Sequence, residues 1–113
     1  NDDNFKNKLQ VKIQKEFKVT PDYLEISEHD PDIGYHAGVY LCLGQAVHTL
    51  NHQDSIPISR FNSYSDIHQH MSEVGKLFLF MGEGKHKLKK KAEQTACDAA
   101  IHSLEKFQMS PSK

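Results

Sequence analysis

Lys85, Lys87, Lys89, Lys90 and Lys91 crowd into seven residues of a 113-residue chain whose formal net charge is only −1. Ammonium groups at that spacing make a local positive field suited to phosphate, although a near-neutral chain cannot hold nucleic acid by bulk charge. The bland alternative is a solvated helix start. The acids gather elsewhere, chiefly in residues 22–32, a loop-like stretch. No acidic pair falls in a helical motif able to hold catalytic Mg²⁺, so the chain reads as a binder and not an enzyme, with no cofactor. His48, His52, His68 and His70 have spacings at which imidazoles can share an ion, but they sit in a polar stretch without a cysteine, and no metal site is expected. Cys42 and Cys97 lie far apart in apolar stretches with no CxxC spacing, which predicts buried free thiols and a reducing compartment.

These groups need a scaffold, and the periodicities supply one. Phe5, Leu9, Ile13 and Phe17 recur every fourth residue, predicting an amphipathic helix that stops before Thr20 and Pro21. A second stripe of that helix carries Asn7, Gln10, Val11 and Gln14, a largely hydrogen-bonding face that meets either a groove or water. Tyr23, Leu24 and Ile26 form a short strand signal, and residues 28–34, dense in Asp, Pro and Gly, read as a loop. Val39, Leu41 and Leu43 alternate with Tyr40 and Cys42 as a second strand that Gly44 interrupts, and residues 77–81 make a third. No helix-length crossover separates the first two, so the sheet is expected to be antiparallel.

Residues 45–76 form a long polar insertion in which Tyr64, Ile67, Met71 and Val74 keep helical spacing, predicting a short helix over 63–74. The last segment, 89–107, sets Ala92, Ala96, Ala99, Ala100, Leu104 and Phe107 on one face, small residues first, as a helix packed closely on the sheet. A chain of this length, 37% hydrophobic, supports one core. The expectation is one domain over 4–108 with a tail at 109–113. No apolar run approaches the roughly 20 residues of a membrane span, and the polar start has no signal-peptide character. The protein is therefore expected in the cytoplasm or nucleus, with no membrane partner.

Gly82, Glu83 and Gly84, a basic stretch, and then Lys89, Lys90, Lys91, Ala92, Glu93, Gln94, Thr95 and Ala96 together resemble the double-stranded-RNA-binding domain, in which a glycine pair ends a strand and a Lys-Lys-x-Ala signature opens a helix. Asn4, Phe5, Lys6, Leu9 and Gln10 look like that family's first helix, in the form found at the C-terminal end of ribonuclease III enzymes. The resemblance covers the chain apart from the insertion and tail. It departs from the pattern at Val11, often Glu in the family, at Leu88 in place of a capping Ser, and at residues 30–33, where the family offers Gly-Pro-x-His.

The resemblance implies an α+β fold of order α-β-β-β-α: a three-stranded antiparallel sheet with two helices packed on one face. It implies duplex RNA as partner, recognised by shape and phosphate charge without base specificity. Asn7, Gln10 and Gln14 would enter one minor groove, the loop carrying His36 the next, and Lys89 and Lys90, with Lys85, Lys87 and Lys91, the phosphates between. Glu93 is expected to pair with Lys89 one turn away. The other class of function is a protein-interaction or homodimerisation module acting through the sheet or insertion.

Overall fold

The stripe at Phe5, Leu9, Ile13 and Phe17 winds α1 (Phe5–Phe17), with Leu9 and Ile13 fully buried and both phenylalanines packed on the same core. Each such aliphatic burial contributes about 1.5–3 kcal/mol. The computed structural model describes residues 4–109; of the expected tail, Met109 is still helical, and 110–113 lie outside the described residues. After α1 come β1 (Asp22–Asp30), β2 (Gly34–Leu43), β3 (Ile56–Pro57), α2 (Tyr64–Val74), β4 (Leu77–His86) and α3 (Lys89–Met109). The fold is α+β, with a sheet of order β1-β2-β4-β3.

The sheet has four strands and not the expected three. β3 lies parallel to β4, Ile56 opposite Leu79 and Pro57 opposite Phe80, whereas the other pairings are antiparallel as expected. Two residues carry no periodicity, and only the neighbouring edge of β4 makes them a strand. β1 also runs further than its apolar signal, through Glu28, His29 and Asp30, by register shifts that let poor strand formers follow an edge.

Side-chain alternation divides the sheet's faces. Val39, Leu41, Leu43, Leu77, Leu79 and Met81 are buried with Leu9 and Ile13 of α1 and Ala96, Cys97, Ala100, Ile101 and Leu104 of α3. Tyr40, Cys42 and Phe78 form a smaller cluster on the other face, joined by Leu24, Phe80, Val47 and Leu50. The two thiols, free and buried, thus belong to different clusters. Burial, with Asp22 nearby, pushes Cys42 up to about 12 and also raises Cys97, so both are poor nucleophiles.

The alanine face of α3 does approach the sheet closely, but the glycine pair does not end the strand. β4 continues through Gly82 and Gly84 to His86. A Cβ at Gly82 would sit 2.5 Å from the Ala96 carbonyl oxygen and 2.8 Å from the Ala100 nitrogen; one at Gly84 would sit 2.8 Å from the Ala96 nitrogen. The glycines are there because a helix backbone crosses the strand. Ala92, Ala96, Ala100 and Leu104 are buried, while Ala99 is exposed at the margin of the face.

The insertion is part of the core. Val47 and Leu50 cover the outer cluster, while Ile58 and Ile67 enter the main one. α2 forms where its stripe predicts, opened by Ser63, whose Oγ accepts the Asp66 N–H at 3.1 Å, and closed by left-handed Gly75 (φ 89°). Tyr64 packs edge-on to Phe17 and to Phe107, and His68 stacks on Phe17 while bonding Glu16 at 2.9 Å. The short helix thereby joins the C-terminal parts of α1 and α3. Among the described residues no helix is long and apolar enough to cross a membrane.

Candidate nucleic-acid interface

Only Lys87 and Leu88 separate β4 from α3. The connection is braced without a capping serine: the Leu88 N–H donates to His86 Nδ1 at 3.0 Å, and the Leu88 carbonyl accepts from Lys91 and Ala92. Strand alternation sends Lys85 away from the helix face that Gly84 meets, while Lys89, Lys90 and Lys91 form the first turn of α3. All five lysines are exposed, and among the described residues none has an ion pair or a side-chain hydrogen bond. Cations at a helix N-terminus oppose the macrodipole, and an incoming phosphate relieves both the dipole and the mutual repulsion.

Glu93 does not pair with Lys89. It holds Lys6 of α1 at 2.7 Å, with the Lys6 ammonium 4.8 Å above the Tyr23 ring. The next residue, Gln94, caps α1: its Oε1 accepts the N–H groups of Phe5 (2.9 Å) and Lys6 (3.2 Å), a task the Asn4 side chain leaves undone. The start of α1 is thus fixed beside the first turns of α3. Asn7, Gln10 and Gln14 are all exposed on α1, and a shallow hollow between Phe5 and Lys90, Lys91 and Thr95 lies where the two helices meet.

On the other side of the lysines stands the β1–β2 hairpin. Gly34 (φ 99°) is pressed against the His86 carbonyl and lies so close to Lys87 that a Cβ would come 2.6 Å from the Lys87 Cα. The lysine connection therefore sits between α1 and the hairpin. At the tip, Asp30 Oδ1 accepts the N–H groups of Asp32 (2.7 Å) and Ile33 (3.0 Å), and these two bonds hold the Asp30 carboxyl below its ordinary range.

His36 is not a loop residue. It lies in β2, with Nδ1 on the Ser27 hydroxyl at 3.1 Å and Nε2 on Glu83 at 2.5 Å, on the sheet face opposite α3. The strand begins earlier than its hydrophobic signal because Gly34 and Tyr35 already pair with β1 and β4. The structure thus brings the start of α1 beside the first turn of α3, and sets His36 across from Lys85 in the β2–β4 pairing instead of in the loop. Lys6, His86, Glu93 and Gln94 had no local signal of their roles, since each acts on a neighbour supplied by packing or by the tight connection. No protein-family model and no curated protein matches the chain.

Proposed function

We propose that this domain binds double-stranded RNA by shape and phosphate charge, without base specificity, and serves as the substrate-binding part of a ribonuclease III-like protein. The observation that carries this reading is the cluster of five exposed lysines, without ion pairs among the described residues, that runs from the end of β4 into the first turn of α3, with the start of α1 and its exposed amides fixed to that helix. A-form RNA offers 2′-hydroxyls in a shallow minor groove and phosphates along a narrow major groove. Asn7, Gln10 and Gln14 have the donors and acceptors for the first, and Lys89 and Lys90, with Lys85, Lys87 and Lys91, the charge for the second. On this reading cleavage chemistry belongs to another part of the parent protein, which works in the cytoplasm or nucleus.

Titration with a duplex RNA of about 20 base pairs, beside DNA of the same sequence and at two salt concentrations, tests it. RNA-selective binding that weakens with salt is the expected result. Equal affinity for both duplexes, or none at micromolar protein, would reject it.

A second reading, a protein-interaction module, draws on the groove between α1 and α3. Phe5, Val11 and Ile101 line it between Lys8 and Lys12 on one wall and Asp98 and Glu105 on the other, and Val11 is exposed where the family often carries Glu. Sedimentation of the RNA-free domain distinguishes the homodimer form of this reading by a mass that rises with concentration.

A further inference from the structure

The hairpin tip is built against phosphate. Glu28, Asp30 and Asp32 are exposed there, and the hairpin itself carries no lysine or arginine; the nearest cations are Lys85 and Lys87, at the base of the lysine connection. The backbone N–H groups of Asp32 and Ile33, which an RNA oxygen would need, are already given to Asp30. His36, the one polar ring expected to reach out from this loop, is turned to the outer face and engaged by Ser27 and Glu83. The hairpin cannot easily swing aside either, because Gly34 is packed against His86 and Lys87. Carboxylates brought within a Debye length of about 8 Å from a phosphate row repel it at physiological salt.

We propose that this domain makes two of the three contacts its architecture suggests, α1 in a minor groove and the lysine connection on the adjoining phosphates, and that a short RNA stem of about one helical turn supplies its whole footprint. A module spanning two minor grooves and the major groove between them covers about 16 base pairs, and losing the distal groove leaves roughly 10. The inference rests on the RNA reading of the lysine cluster. It makes the acidic hairpin the element that limits the length of RNA this domain covers.

Affinity as a function of duplex length tests it, with blunt GC-rich RNA duplexes of about 12, 16 and 22 base pairs and dissociation constants corrected for the number of binding registers. The corrected constants are expected to agree within about fivefold across the series. Tightening beyond that between the shortest and longest duplex overturns the inference while leaving RNA binding intact. If no length binds, the RNA reading itself falls and takes the inference with it. The double variant Asp30→Asn with Asp32→Lys retains the turn's acceptor and, with Glu28 remaining, cancels the tip's negative charge; it should tighten binding to the longest duplex and not the shortest. Equal gain at both lengths would show that the tip does not act at a distal groove, and no gain at either would show that its charge does not limit the footprint.

Discussion

Glu93 holds Lys6 at 2.7 Å across 87 residues of sequence, leaving Lys89, one turn before it on the same helix, without a carboxylate. That choice of partner ties α1 to α3 and keeps the leading lysine of the cluster open to a ligand. The neighbouring cap, Gln94 on the first N–H groups of α1, reinforces the same joint.

The cap is expected to matter more than the ion pair. Gln94→Ala leaves two helix N–H groups without their acceptor and should cost about 1–2 kcal/mol. Glu93→Gln should cost less than about 1 kcal/mol, because water reaches the Lys6 side of the pair and screens it. Urea unfolding of the two variants gives the order directly; the reverse order would make the ion pair the main tie.

Gly84→Ala places a methyl group into the backbone of α3 and is expected to destabilise the domain by about 1–3 kcal/mol. Gly75 is the informative comparison, since its φ of 89° is unfavourable to alanine but nothing lies within 4 Å of the added carbon. Gly75→Ala should therefore cost only the backbone term, on the order of 1 kcal/mol. Thermal melts showing the two variants equal would mean that α3 can move off the strand freely.

Ile67 of α2 is fully buried in the main core, although it belongs to the segment that interrupts the sequence pattern. Ile67→Ala should cost about 2–5 kcal/mol, the range for a large-to-small change in a packed interior. A change below about 0.5 kcal/mol, typical of a surface site, would place α2 outside the cooperative unit.

Replacing Lys89 and Lys90 together by alanine removes two exposed charges that oppose the helix dipole. The RNA-free domain should keep its stability or gain slightly, while duplex affinity falls and the salt dependence of log K flattens by about 1 for each phosphate that these lysines neutralise. An unchanged salt slope would remove these lysines from the interface.

Asp30 gives the hairpin a pH dependence of definite sign. Backbone N–H groups favour its ionised form in the folded state, so its folded value lies below its unfolded one. The resulting stabilisation is complete above the unfolded value, about 3.9, and is lost as pH falls through the folded one. Asp30→Asn keeps an acceptor without titrating, so the stability advantage of the parent domain over this variant should shrink as pH is lowered below about 4. A difference that stays constant with pH would show that the carboxylate charge adds nothing to the turn.

The sequence by itself determined the elements whose periodicity reflects a buried face. The four-residue stripe of α1, the alternation of residues 39–43, the alanine face of α3 and the helix within the insertion were legible because burial selects apolar side chains at fixed spacing. The lysine cluster was legible too, since charge density needs no partner to be seen. Tertiary structure alone decided the rest. The two residues of β3 become a strand only beside β4, and the acidic half of β1 only by register shifts along β2. The glycines of β4 continue a strand because α3 crosses them, and His36 belongs to the outer face because β2 starts at Gly34. Glu93 chose Lys6 over Lys89 for the same reason. Hydrogen bonds and ion pairs between distant residues depend on where packing sets the backbones, and local spacing carries no record of that.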